Sequence, residues 1–260
     1  AVWQNIKEGS AMKIRMKFSK QGPLKFIGHL DIMRYFQKVM RRADVDIRYS
    51  EGFSPHQIMS FASPLGVGIL SNGEYVDIEV NSTKDSKTMI EQINRENAEG
   101  FCVLSYRKLD DSVKNAMSQV AAADYTMWFR EGYEPEDVPR FMKNLLAFCH
   151  SDKIEIVKKT KKGQKAMDLR PCIYEVRLTD DNTGIFMKVS SGSTANVKPE
   201  QVVGAYYESI GMEYPAFAFQ IQREEVYADE GNDASDESDG GAPGGSHKFV
   251  PLEEYGADIE

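Results

Sequence analysis

KIRMKFSK, residues 13–20, decides how the rest of the chain is read. Ile14, Met16 and Phe18 alternate with Lys13, Arg15 and Lys17, the period-two pattern of a strand with one face buried and the other wet. The wet face is cationic. Next, HLDIMRYFQKVMRRAD (29–44) places Ile32, Phe36, Val39 and Ala43 at helical spacing with Met33 and Met40 beside them, so an apolar stripe turns toward a core. Arg34, Lys38, Arg41 and Arg42 occupy much of the other surface. Asp46–Tyr49 reads as a short strand with Arg48 pointing away from Ile47 and Tyr49. YVDIEV (75–80) alternates again, Thr83–Asn97 is a second amphipathic helix carrying Met89, Ile90 and Ile93, and Phe101–Arg107 is a closing strand. The order β-α-β-β-α-β predicts a ferredoxin-like (split β-α-β) layout, an antiparallel sheet backed on one face by two helices.

The same order of elements runs a second time. Asp124–Arg130 reads as a strand, Pro135–His150 as a helix and Lys153–Lys159 as a strand. Ile173–Leu178 and Gly184–Ser190 form a hairpin across DDNTG, Val197–Gly211 is a helix and Ala216–Tyr227 a final strand. Proline sits near the first turn of both helices, where its missing N–H costs nothing. The fold class expected is therefore α+β, two tandem ferredoxin-like domains with antiparallel sheets, the second carrying an added strand. The boundaries expected are an extension over 1–11, a first domain over 12–112, a linker over 113–122, a second domain over 123–228 and an acidic flexible tail over 229–260.

Of the 260 residues, 32 are Lys or Arg and 40 Asp or Glu, a net charge of −8. From Asp229 onward ten acidic residues face Lys248 alone, so the body before it is close to neutral. Within the body, Lys13–Ser60 carries ten Lys and Arg against Asp31, Asp44, Asp46 and Glu51. Such a patch suits a polyanion such as RNA, and it equally describes a solvated surface. DEGNDASDESDGGAPGGSH (229–247) is low in complexity and too polar to bury a core, hence a tether. KFVPLEEYGADIE (248–260) has enough apolar residues to dock as a short peptide. No run approaches the roughly 18 apolar residues of a membrane span and no signal-peptide core is present, which points to the cytoplasm. Cys102, Cys149 and Cys172 are dispersed and make neither a disulfide framework nor a metal-ligand set.

Between the basic helix and YVDIEV lies EGFSPHQIMSFASPLGVGILSNGE (51–74), with four glycines, two prolines and charges only at its ends. It reads either as a binding loop or, through Gln57–Ala62, as a further strand between tight turns. In both readings Gly52, Phe53, Pro55, His56, Gly66 and Gly68 form the candidate partner or ligand loop. Lys13, Arg15, Lys17, Arg34, Lys38, Arg41, Arg42, Arg48 and Lys198 are the candidate phosphate contacts, although Asp77 and Glu79 can instead pair across the sheet with the first three. SSGSTAN (190–196), ahead of Lys198 and Pro199, resembles an anion nest or a plain capped helix entry. KKTKKGQK (158–165) is a phosphate-touching hairpin or a solvated loop. His29, seconded by Asp31, is the candidate acid/base for an RNA-processing reaction. Its plainer role is in the helix-opening turn, with Asp31 complementing the dipole.

GHLDIMRYFQKVMRRADVDIRYSEGFSPHQIMSFASPLGVGILSNGEYVDIEV closely resembles the opening of the bacterial radical-SAM-linked family, an uncharacterised group found alone or fused behind a cobalamin-type radical S-adenosylmethionine (SAM) protein. The matching residues include His29, Leu30, Asp31, Arg41, Arg42, Tyr49, Ser50, Gly52, Phe53, Pro55, Ser60, Pro64, Leu65, Gly68, Ser71, Gly73, Glu74 and Asp77. DLRP (168–171) and SGSTANVKPEQVV (191–203) resemble the second-half motifs. The resemblance implies a separate radical-SAM enzyme as partner. The cluster motif C-x-x-x-C-x-x-C is absent, so the chain itself is not expected to be the radical catalyst, and neither metal nor cofactor is called for. Three functions remain open: a non-catalytic, RNA-binding accessory or substrate-binding module, a metal-independent RNA-processing enzyme using His29, and a protein-only adaptor.

Overall fold

The computed structural model describes residues 11–160, 163–192, 195–231 and 247–260. The chain is α+β and divides into two compact units. One is built from the described parts of Ala1–Val67, Ser71–Gln119 and Pro251–Glu260, the other from Gly68–Leu70 and Val120–Val250. The expected extension over 1–11 lies, but for its last residue, outside the described residues.

The first unit runs β1 (Met12–Lys20), α1 (His29–Arg42), β2 (Met59–Phe61), β3 (Leu70–Val80), α2 (Ser86–Glu96), β4 (Phe101–Leu109) and α3 (Ala116–Gln119). Its sheet is ordered β4-β1-β3-β2 with antiparallel neighbours throughout. The alternation in β1 sends Ile14, Met16 and Phe18 into a fully buried core with Ile32, Phe36 and Val39 of α1 and Met89 and Ile93 of α2. Phe18 and Phe36 meet at 4.5 Å between ring centroids, which fixes α1 against the sheet. Asp85 caps α2, accepting a hydrogen bond from the Thr88 N–H at 2.9 Å.

The second strand is where expectation and structure part. Asp46–Tyr49 makes only isolated bridges, Ile47 to Val80 and Tyr49 to Gln57, while the continuous pairing with β3 comes from Met59–Phe61 inside the excursion. The chain doubles back on itself, Ser50 N–H donating to the His56 carbonyl and Ile58 N–H to that of Arg48. Both halves of this hairpin share the edge of β3, so neither forms a long strand. Of the two readings of the excursion, the strand holds for Met59–Phe61.

The second unit contains β5 (Ala122–Phe129), α4 (Val138–Cys149), β6 (Glu155–Thr160), β7 (Gly163–Asp168), β8 (Ile173–Leu178), β9 (Gly184–Ser190), α5 (Pro199–Ser209), β10 (Phe219–Asp229) and β11 (Phe249–Pro251). Its sheet is ordered β10-β5-β9-β8, with β11 added to β10. A last strand, β12 (Gly256–Asp258), returns to the first unit and pairs with β4. The strand expected at 153–159 does not enter the sheet; as β6 it pairs with β7 in a separate two-stranded ribbon. With that ribbon, the truncated β2 and the added β11 and β12, the molecule departs from two discrete ferredoxin-like domains. The tail expected over 229–260 is not uniform either. Its residues 232–246 lie outside the described part, whereas Gly256–Asp258 pairs with β4.

Candidate functional site

The cationic face of β1 is real, but it is not open. Antiparallel register sets Arg15 opposite Asp77 on one side and Arg107 on the other. Arg15 is fully buried and pairs with Asp77 through two hydrogen bonds, Nε to Oδ1 at 2.8 Å and Nη2 to Oδ2 at 2.9 Å. Its remaining donors reach the carbonyls of Leu252 at 3.0 Å and Lys114 at 3.2 Å. Asp77 also accepts from the Ala116 N–H at 2.8 Å. The pair thus ties β1, β3, the turn before α3 and the C-terminal segment together. Arg15 offers nothing to a phosphate, and as a candidate nucleic-acid contact it is corrected: the cross-strand carboxylate claims it.

Lys17 and Lys13 are engaged as well. Lys17 Nζ lies 2.7 Å from Glu253 Oε1, with both side chains largely buried, and Lys13 donates to the Asp111 carbonyl at 3.0 Å. Glu79, the other cross-strand carboxylate, faces Arg48 at 3.6 Å instead. A small cleft of about 120 Å³ remains among Lys13, Ser60, Asp77, Glu79, Lys114 and Asn115, of mixed charge and without a cationic bias.

The basic helix is different. Arg34, Lys38, Arg41 and Arg42 are all exposed along one side of α1, at spacings i, i+4, i+7 and i+8. Their partners are surface groups: Arg34 meets Asp31 at 3.2 Å, Arg42 meets Glu96 at 3.5 Å, and Arg41 reaches the Gln37 carbonyl at 3.3 Å. Exposed pairs of this kind are worth about 0–1 kcal/mol and yield readily to a multivalent anion.

His29 opens α1 with its ring edge-on to Phe61 at 5.4 Å, and no described hydrogen bond orients its imidazole. Asp31 turns to Arg34 and not to His29. His56 serves its own hairpin, Nδ1 lying 2.9 Å from Ser50 Oγ. Gly52 holds φ +108° beside the hairpin tip, a conformation that disfavours any side chain, and it places Phe53 fully in solvent. Pro55 and Gly66 are exposed, whereas Gly68 belongs to the other unit, its carbonyl accepting from Gln220 at 3.2 Å.

Lys198 also belongs to the second unit. Around Ser190–Asn196, where an anion nest or a plain capped helix entry was expected, several described amides already have acceptors. The amides of Ser191, Gly192, Val197 and Lys198 donate to Ala121, Ala195, Ser190 and Gln201 respectively, so these four are spent within the protein. Ser193 and Thr194 lie outside the described residues, as do Lys161 and Lys162 of the cationic run 158–165, whose flanks form the β6–β7 ribbon. Among the described residues, no group of three or more His, Cys, Asp or Glu is placed to hold a metal ion. No described helix is long and apolar enough to cross a membrane.

One cluster escaped the sequence altogether. On the second sheet, Asp124 is 5 % exposed, accepts from the Tyr227 hydroxyl at 2.6 Å and stands 3.8 Å from Lys188 Nζ. Lys188 lies 4.2 Å from the centre of the Tyr227 ring. Burial pushes the Asp124 carboxyl up to about 6, against the opposing pull of Tyr227 and Lys188 and with help from Glu175 and Glu225. Only strand register reveals this cluster, since its members are far apart in sequence. A carboxyl raised on folding holds its proton more tightly in the native state, so its contribution to stability is greatest below the unfolded value near 4 and is lost as pH rises through about 6. Asp124→Asn is therefore expected to flatten the stability profile between about pH 4 and 6 in denaturant titrations. An unchanged slope would show that Asp124 does not carry it.

No curated protein matches this chain. Residues 13–199, which take in the whole of α1 and parts of both units, match the sequence model of a family described as an uncharacterised protein conserved in bacteria (DUF2344), and the chain belongs to that family.

Proposed function

We propose that the chain is a non-catalytic accessory module that binds RNA on the outward face of α1 for a separate radical-SAM enzyme. The family is one often found near radical-SAM genes, which supports that partnership. The single observation carrying the RNA contact is the exposed stripe of Arg34, Lys38, Arg41 and Arg42. Four cations along one helical side match a run of phosphates without reading bases, as a substrate-presenting module requires. In the same reading each unit is a modified ferredoxin-like fold. The strand orders β4-β1-β3-β2 and β10-β5-β9-β8 support this, since they run fourth-first-third-second once the β6–β7 ribbon is set aside.

The test is RNA binding at two salt concentrations together with co-purification of a radical-SAM enzyme from the native cell. Binding that is insensitive to salt, or absent, removes the reading. For an RNA-processing role of His29 the structure supplies no carboxylate partner from Asp31, which pairs with Arg34 instead. A protein-only adaptor is the second reading, favoured by Phe53, which stands fully exposed on a glycine-shaped hairpin.

A further inference from the structure

The last ten residues, Pro251–Glu260, sit in a seat whose parts are specific. β12 extends the first sheet at its β4 edge, pairing Gly256 with Leu109, Ala257 with Lys108 and Asp258 with Arg107. Ahead of it Leu252 is completely buried. Arg15 and Arg107 donate to the carbonyls of Leu252 and Glu253 at 3.0 and 3.1 Å. Beyond it the Ser86 N–H donates to the Ile259 carbonyl at 2.9 Å, and Ser86 Oγ accepts from the Ile259 N–H at 2.8 Å.

Charge adds selectivity to this backbone recognition. Arg15 and Arg107 face each other directly across the strands, a like-charge pair that destabilises a bare sheet. Asp77 compensates Arg15. The segment itself supplies the rest, with Glu253 on Lys17 at 2.7 Å and Glu254 and Asp258 on Arg107 at 3.6 and 3.5 Å. Glycine at 256 is also read: a Cβ there would lie 2.8 Å from the Arg107 Cβ. The seat therefore selects a chain of the form leucine, two acids, a spacer, glycine, a spacer, an acid and an apolar residue, its first four residues (Leu252–Tyr255) wound into a single 3-10 turn and the three from Gly256 to Asp258 extended.

The outer ion pairs of this contact are weak. Glu254 and Asp258 are 58 % and 69 % exposed, so their ion pairs are screened by solvent. An open cleft of about 740 Å³ runs alongside, bordered by Ile90, Leu104, Arg107 and Ile259, which makes the edge approachable. We propose that Pro251–Glu260 is an internal occupant of a peptide-docking site, and that an acidic segment of a partner protein takes its place, its leucine-bearing turn entering the Leu252 seat and the residues after it adding as a strand to β4. The site is separate from the α1 stripe, so the proposal stands or falls independently of RNA binding.

The test uses a labelled peptide with the sequence of residues 251–260, the full-length protein, and the full-length Leu252→Asp/Gly256→Val variant, in which the internal segment is weakened. The variant is expected to bind the peptide about 10- to 100-fold more tightly than the parent, as when 90–99 % of a site is closed by its own occupant. Replacing the peptide's three acidic residues matching Glu253, Glu254 and Asp258 by glutamine should cost about tenfold or more. A variant that keeps its β1 and β3 amide protection yet binds no better than the parent overturns the proposal. Should the variant fail to fold, amide exchange in the parent decides. Ile259 is expected to exchange at least about tenfold faster than Met16 and Val76 and to accelerate with salt, while exchange at the same rate as those core amides overturns it. Charge reversal on α1 should leave peptide binding unchanged.

Discussion

Replacing Asp77 by alanine is expected to destabilise the first unit by about 3–5 kcal/mol, the cost of leaving a buried cation without its counter-ion. Arg15 is fully buried, so its guanidinium cannot turn to water when Asp77 is removed. The carbonyls of Leu252 and Lys114 still accept from it, but two neutral acceptors do not replace a bidentate carboxylate. The Ala116 N–H loses its acceptor at the same time. The measurement is a denaturant titration followed by amide exchange in β1 and β4, which reports on this unit by itself. A companion variant sharpens the claim. Arg15→Met combined with Asp77→Leu removes both charges and should recover a large part of the loss, because a buried ion pair is dear to break and cheap to replace. The freed carbonyls of Leu252 and Lys114 keep that recovery incomplete. A loss below about 1 kcal/mol for Asp77→Ala would show that solvent reaches the pair after all.

Reversing Arg34, Lys38, Arg41 and Arg42 to glutamate is expected to abolish RNA binding while leaving the fold intact. If the four side chains neutralise four phosphates of a single strand, the logarithm of affinity falls with that of salt at a slope of about −2.8. The parent protein then loses about 50-fold in affinity between 50 and 200 mM salt, and the quadruple variant loses both the affinity and the slope. Single reversals should each remove about one quarter of the slope, whichever cation is chosen, because phosphate contacts carry no sequence information. Lys17→Glu makes the discriminating control. Lys17 is already held by Glu253, so its reversal should disturb the seating of the C-terminal segment and leave the RNA slope alone. If Lys17→Glu instead removes the slope and the helix variants do not, the polyanion contact lies on the sheet and the assignment to α1 is wrong. Far-ultraviolet circular dichroism of the quadruple variant checks the fold, which exposed pairs such as Arg34–Asp31 and Arg42–Glu96 support only weakly.

Much of the secondary structure was legible in advance because it depends on near neighbours in the chain. The period of two in Lys13–Lys17 and the period near 3.6 in α1 report which side of each element is apolar, and β8 and β9 run between the residues expected for them. The cationic stripe on α1 was legible for the same reason, since helix geometry alone brings residues 34, 38, 41 and 42 to one side. The extent of the second strand was not. Ile47 and Met59–Phe61 are both alternating segments competing for one edge of β3, and their local patterns are equivalent.

What the amino-acid order determined by itself was the α+β class, the positions of the main helices and of strands such as β1, β4, β8 and β9, and which sides of those elements are apolar or charged. Tertiary structure alone decided which of those charges remain available. Arg15 meets Asp77 at a separation of 62 residues and the Leu252 carbonyl at one of 237, and Asp124 meets Tyr227 across 103. Periodicity says which way a side chain points but not what waits there, because compensation between charges is a matter of register between strands distant in the chain. For that reason a strand face that reads as an open cationic surface is, in the folded protein, a closed seat filled by the acidic end of the same chain.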